Sequence, residues 1–200
     1  MKVDRRINRS KKALKDALIL LLGKKDLANI RIKELVTIAD LNRGTYYKHY
    51  YYKEEILDEI INEVIDNLIT SYRDPYLNTN EFKINDLTAS SVKIFEHVDA
   101  YANFYTAIIN SHALPGFQTK ICDVFKTLIT HDLSDENSGV DVNTDLRASY
   151  YAYALFGIII EWVNGDYQYT PKYMAEQLIK IIDDRPSNVI YKTTHKDATD

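Results

Sequence analysis

Between Arg43 and His49 the chain reads RGTYYKH, placing a guanidinium, a glycine, a hydroxyl, phenols, an ammonium and an imidazole on one short segment. If that segment is helical, Tyr46 and Tyr50 lie four apart and face a core. Arg43, Gly44, Thr45, Tyr47, Lys48 and His49 then point outward. Such a face suits base edges and phosphates: cations and hydroxyls pair with their acceptors, and a glycine lets a backbone come close.

The elements that must hold this face are legible on either side. Ile32, Leu35, Val36 and Ala39 fall at i, i+3, i+4 and i+7, which predicts one buried stripe over two helical turns. The period breaks at Asp40-Leu41-Asn42, where Leu41 is an apolar plug and Asn42 offers a side-chain oxygen to cap the next helix. Two short helices around a tight break form an arrangement able to lay the second one in the major groove of DNA. The plainer alternative is an ordinary helical hairpin with a solvated polar face.

Residues 31–53, RIKELVTIADLNRGTYYKHYYYK, resemble the helix-turn-helix of TetR-family (tetracycline-repressor-like) transcriptional regulators. That pattern runs roughly I-T-V-x-x-I-A-x-x-A-G-V-S-x-G-T-x-Y-x-H-F-x-x-K-E-x-L. Ile30, Ile32, Leu35, Ala39, Leu41, Asn42, Gly44, Thr45, Tyr47, His49, Tyr50, Lys53, Glu54 and Leu57 occupy matching positions. Three departures stand out. Arg31 replaces a capping hydroxyl, a loss of about 1 kcal/mol. Asp40 replaces the turn glycine, and Asp tolerates left-handed geometry. Tyr51-Tyr52 lengthens an aromatic run where the family is often small and polar.

The resemblance implies an all-α fold, with an N-terminal three-helix head joined by a long helix to a helical ligand-binding and dimerisation body. It also implies a sequence-specific regulator, expected to be a repressor, that binds a palindromic or near-palindromic double-stranded DNA operator as a homodimer. A small-molecule effector or a partner protein would modulate it. The expected DNA-binding residues are Lys33, Asn42, Arg43, Gly44, Thr45, Tyr47, Lys48, His49 and Lys53. Among them Arg43 and Lys33 reach base edges, Gly44 and Thr45 lie against base edges or a thymine methyl, and Tyr47, His49 and Lys53 position phosphates. The departures keep one alternative open, a helical protein-interaction adaptor that has lost specific operator recognition.

Charge points the same way independently. Residues 1–53 carry 14 Lys or Arg against 5 Asp or Glu, whereas residues 54–200 carry 11 against 24. A basic head on an acidic body fits nucleic-acid binding despite the net charge of -4. Lys2, Arg5, Arg6, Arg9, Lys11, Lys12 and Lys15 form a basic lead-in available for non-specific phosphate attraction. A solvated tail and helix face account for the same charges.

Other classes fit poorly. A single cysteine, Cys122, excludes an internal disulfide framework and a thiolate cluster. The apolar stretch Tyr150 to Val163 contains Glu161 and is too short to span a bilayer, so a soluble, cytoplasmic protein is expected. Isolated glycines provide no phosphate-cradling loop, no Ser sits in a nucleophile elbow, and no enzyme is expected. His49, His97, His112, His131 and His195 include no i, i+4 pair, so no cofactor and no metal are expected. The pairs left open for a metal are His97 with Asp99 and His112 with Glu161.

Periodicity predicts helices at about 7–22, 31–38, 43–49, 52–74, 84–98, 101–111, 115–132, 145–164 and 171–184. The connections fall at 75–81 and 134–143. The corresponding division is a DNA-binding domain at 1–53, a regulatory and dimerisation domain at 54–185 and a flexible tail at 186–200. In the body, the resemblance implies an effector pocket that Tyr101, Phe104, Tyr105, Phe117, Phe125, Tyr151 and Trp162 would line, with core packing as the plainer account. Leu146 to Val163 is apolar around most of its circumference and studded with small residues. On its residues alone such a helix fits a dimer interface or burial inside one subunit equally well; the resemblance implies that it and the following helix form a dimer interface through Ala152, Phe156, Gly157, Ile160, Met174 and Leu178.

Overall fold

The computed structural model describes residues 5–77, 87–110, 116–132 and 142–183, and among them every regular element is helical. The helices are α1 (Arg5–Leu22), α2 (Ile32–Ile38), α3 (Arg43–Tyr47), α4 (Lys53–Arg73), α5 (Ile94–Ala100), α6 (Ala102–Asn110), α7 (Phe117–Asp132), α8 (Thr144–Asn164) and α9 (Pro171–Asp183). The expected all-α class is what the chain forms. The expected tail at 186–200, and residues 78–81 and 134–141 of the expected connections, lie outside the described residues.

Each long helix follows its apolar period. In α1, Leu14, Ala17, Leu18, Leu21 and Leu22 form a buried stripe. In α4, Ile56, Leu57, Ile60, Ile61, Val64, Ile65 and Leu68 do the same over 21 residues, a rod about 31 Å long. Pro75 then sits in a 3₁₀ turn, Asp74–Tyr76, that closes α4. At that end the Arg73 guanidinium donates to Asp132 of α7 at 2.6 and 3.1 Å. The bond holds the Asp132 carboxyl below its ordinary pKa despite partial burial.

Around α4 the chain divides its contacts. α1 packs on α2, α4 and α6, while α4 also meets α5 and α7. α7 runs along α8, α6 touches α8, and α5 meets α9. One continuous apolar core therefore extends from Leu14 of α1 to Ala175 of α9.

Two local features depart from the periodic reading. A 3₁₀ turn at Leu27–Asn29 lies between α1 and α2. The helix expected from residue 84 begins only at Ile94; residues 84–86 are not described, and 87–93 form turns. There the Ser91 hydroxyl donates to the Thr88 carbonyl at 2.8 Å and accepts from the Thr88 amide at 3.0 Å. Hydroxyl side chains that bond nearby backbone in this way compete with the helical ladder.

Candidate nucleic-acid interface

The α2–turn–α3 unit is closed by side chains that compensate for its departures in sequence. Arg31 supplies no capping oxygen, but its amide donates to the Glu34 carboxylate at 2.9 Å, and Lys25 holds that carboxylate at 2.6 Å. Those two bonds, the Lys25 contact foremost, lower the Glu34 pKa. Asp40 adopts φ 52°, the left-handed conformation that ends α2. The chain then turns back so that the Leu41 amide donates to the Val36 carbonyl at 2.9 Å.

Asn42 caps α3 as its position suggested: its Oδ1 accepts from the Thr45 amide at 2.7 Å and from the Thr45 hydroxyl at 3.1 Å. A Cβ on Gly44 would come within 3.3 Å of that same oxygen. Glycine thus keeps the cap uncrowded as well as leaving the backbone approachable.

The outward face is assembled as the helical spacing requires. Lys33, Asn42, Arg43, Gly44, Tyr47 and Lys48 are exposed, and Thr45, His49 and Lys53 are half-buried. On the opposite side Tyr46 is fully buried and Tyr50 nearly so. The Tyr46 hydroxyl is buried without a hydrogen-bond partner among the described residues. Burial pushes its pKa up to about 12.

Lys53 has a structural task that its motif position did not disclose. Its ammonium donates to the carbonyls of Ala28 at 3.1 Å and Ile30 at 2.9 Å. The start of α4 is thereby tied to the 3₁₀ turn before α2. Two of the three ammonium N–H groups are used in this way.

The basic lead-in is likewise divided. Arg5, Arg9 and Lys12 are exposed, but Lys11 pairs with Glu59 at 3.1 Å and Lys15 with Glu63 at 2.7 Å. Lys11 and Lys15 therefore hold α1 against α4, and their charge is largely matched within the protein. Lys2 lies outside the described residues.

In the body, several of the aromatic candidates pack against other aromatic rings. Phe104 meets Phe117 at 5.4 Å between centroids, Phe125 meets Tyr72 at 5.8 Å, and Trp162 meets Phe95 at 5.7 Å. The Tyr105 hydroxyl lies 3.0 Å from His97 Nε2, and the Tyr101 ring lies tilted against His97 with centroids 4.9 Å apart. His97 is thus engaged with Tyr105, and His112 is outside the described residues. Tyr151 is exposed on α8.

Two open grooves flank this core. One, of 630 Å³, lies between α4 and α7 and is lined by Ile69, Arg73, Lys120, Asp123, Val124 and Leu128 among others. The other, of 540 Å³, lies between α8 and α9 and includes Ala154, Gly157, Ile158, Glu161, Trp162, Tyr173 and Gln177. Of the seven aromatic candidates, Trp162 alone borders either groove.

The candidate interface residues fall on two different sides. Ala152 and Phe156 point into the protomer's own core, where neither is open to a second chain, and Met174 is also buried. Gly157, Ile160 and Leu178 are partly exposed, and a Cβ on Gly157 would meet nothing within 4 Å. The outward side of α8 instead carries Leu146, Tyr150, Tyr153, Ala154 and Glu161. An almost wholly apolar helix has no solvent face in its sequence, so its rotation was not readable.

Missing from the expected set were Glu59, Glu34 and Glu55, acidic residues that tie the helices and turns of this region together. Glu55, for example, accepts the Tyr51 amide at 2.8 Å. Glu34 and Glu55 stand three residues into their helices, the one sequence cue that was available.

Residues 85–184 match the TetR family model described as "Transcriptional regulator C-terminal region". Over 195 residues the chain is 26% identical to the HTH-type transcriptional regulator YxbF of Bacillus subtilis (strain 168), covering 94% of this chain and 48% of that protein. The chain thus spans about half the length of the curated relative it matches. Among solved structures, a TetR transcriptional regulator from Streptococcus agalactiae 2603V is similar with a TM-score of 0.61 and 20% identity, covering 90% of this chain and 96% of that one. The dihydroxyacetone kinase operon activator DhaS is similar at 0.58 and 17%, covering 86% and 93%. At such identities the likeness is one of fold.

Proposed function

From the premise that this chain belongs to the TetR family of transcriptional regulators, we propose that it is a repressor that binds a palindromic or near-palindromic operator as a homodimer. The observation that carries the reading is α3 itself: a helix capped by Asn42 and backed by buried Tyr46, presenting Arg43, Gly44, Lys48 and Tyr47 outward. In this reading residues 1–53 form the DNA-binding head and 54–185 the regulatory and dimerising body. Arg43 and Lys33 read base edges. Thr45 and Gly44 pack against them or a thymine methyl, and Tyr47, Lys48, His49 and the free N–H of Lys53 position phosphates.

Two heads must reach successive major-groove faces about 34 to 36 Å apart, or a multiple of that. The dimer forms through the α8–α9 face, with Gly157, Ile160 and Leu178 joined by the outward Tyr153, Ala154 and Tyr173. Repression is the simpler sign, because occupying a promoter needs only stable operator binding. A small effector or partner protein engaging the body releases the operator by favouring a conformation with altered head separation, provided its affinity differs between the two states.

Selection of random duplex DNA on the purified protein, followed by sequencing of the bound pool, tests the reading. An enriched inverted repeat supports it, and transcription from a template carrying that repeat then reads the sign. An unenriched pool from folded protein overturns it.

A further inference from the structure

The chain leaves α3 through three tyrosines that do opposite things. Tyr50 turns inward, 4% exposed, and its hydroxyl donates to the Glu59 carboxylate. Tyr51 and Tyr52 turn outward, 75% and 68% exposed. The backbone that carries them is held: the amides of Tyr51 and Tyr52 both lie on the Glu55 carboxylate, at 2.8 and 3.5 Å, and Tyr50 anchors the residue before them. Neither phenol hydroxyl has a partner among the described residues.

Stability does not explain this pair. Tyr52 occupies the cap position of α4, where Ser, Thr, Asn or Asp would bond a free amide, and its side chain makes no such bond. Two large rings are held in water at the same point. Where local rules are broken side by side, function rather than folding sets the residue. The site also continues an outward surface, since Tyr47 is 52% exposed and Lys48 is exposed just before the turn.

A helix lying in the major groove puts the chain that leaves it at the rim of the groove, where the sugar-phosphate backbone runs. Phenols suit that place, with an uncharged donor for phosphate oxygens and a flat apolar ring beside deoxyribose. We propose that Tyr51 and Tyr52 form a second, sequence-independent contact with the DNA backbone, their hydroxyls donating to phosphates that flank the bases read by α3. This contact rests on the operator-binding reading above.

The test compares wild type with the Tyr51→Phe/Tyr52→Phe double variant, which keeps ring, turn and fold. The probes are the inverted-repeat duplex recovered from the random pool, with and without its flanking base pairs, over a range of salt. The variant should bind the long duplex about tenfold more weakly than wild type. Its salt slope should not change, because no cation is lost. On the trimmed duplex the two proteins should bind alike. A variant equal to wild type on the long duplex, or equally weakened on both lengths, overturns the flanking contact and leaves the operator reading standing. A wild type that selects no duplex overturns both.

Discussion

The Tyr50 hydroxyl donates to the carboxylate of Glu59, nine residues further along, while the Lys11 ammonium meets the same carboxylate at 3.1 Å and sits 5.2 Å from the Tyr50 ring centroid. One acidic side chain thereby joins α1, the exit of α3 and α4. Burial opposes its charge, but the bonds from Tyr50 and Lys11 and the field of Lys15 outweigh it, so the Glu59 pKa falls below the usual value. The same carboxylate, together with burial, holds the Tyr50 phenol protonated well beyond its ordinary range.

Tyr50 and Tyr46 make a matched pair for measurement, both buried phenols on the inner side of the head. Tyr50→Phe removes a donor to a charged acceptor and should destabilise by about 1.5 to 3 kcal/mol. Tyr46→Phe removes a hydroxyl that has no partner, and should be neutral or stabilising by about 1 kcal/mol. Urea melts of the two variants check this. Equal losses from both would mean that the Tyr46 hydroxyl is satisfied in solution.

Arg43 and Lys53 should separate reading from holding. Arg43 is exposed and has no side-chain bond among the described residues, so Arg43→Ala should leave the melt unchanged, weaken operator binding by about 1 to 3 kcal/mol and relax preference at one base pair. Lys53→Ala loses two carbonyl contacts as well as a cation. It should therefore lower both the melting temperature and the affinity for all duplexes, reducing the salt slope by about 1. A fully stable Lys53→Ala protein would remove its clamping role.

Asp40 has the left-handed conformation that a glycine adopts freely. Asp40→Gly should stabilise the head by about 0.5 to 1 kcal/mol, and Asp40→Val should destabilise it, because a β-branched side chain is strained at positive φ. Thermal melts of the two variants decide the sign. A destabilised Asp40→Gly would show that the Asp side chain contributes more than its backbone strain takes away.

What the sequence disclosed follows from distance along the chain. The stripe Leu14, Ala17, Leu18, Leu21 in α1, the plug at Leu41 and the cap at Asn42 are local patterns, and each folds as its spacing predicts. The pairing of Lys11 with Glu59 spans 48 residues, and nothing local marks which carboxylate a given lysine will meet. Nor did the apolar pattern of α8 distinguish Ala152, which is buried, from Tyr153, which is 51% exposed. Tyrosine counts as apolar in a pattern yet tolerates water in the structure.

That rotation of α8 gives the association test its control. Gly157 faces open space, so Gly157→Leu should fold with an unchanged melt and, if copies meet on this face, sediment as a monomer. Ala152 is wholly buried, so Ala152→Leu should instead destabilise the protomer by about 1 to 3 kcal/mol through overpacking. A Gly157→Leu protein that remains a dimer would take Gly157 out of the interface.

His97 predicts how stability falls in acid. It is 5% exposed, between the Tyr105 hydroxyl and the Tyr101 ring, and burial lowers its pKa from 6.5 to about 4. Between those values the unfolded chain binds a proton that the folded chain refuses, so stability rises with pH across that window. The contribution is fully present above about 6.5 and is lost as pH falls toward 4, a change of about 3 kcal/mol. His97→Gln offers the Tyr105 hydroxyl a polar partner but does not titrate. Urea melts at pH 7.5 and pH 5 should therefore differ less for the variant than for wild type, by about 2 kcal/mol. Parallel losses in the two proteins would assign the acid sensitivity to paired carboxylates such as Glu59 and Asp132, whose lowered pKa values act in the same direction but at lower pH.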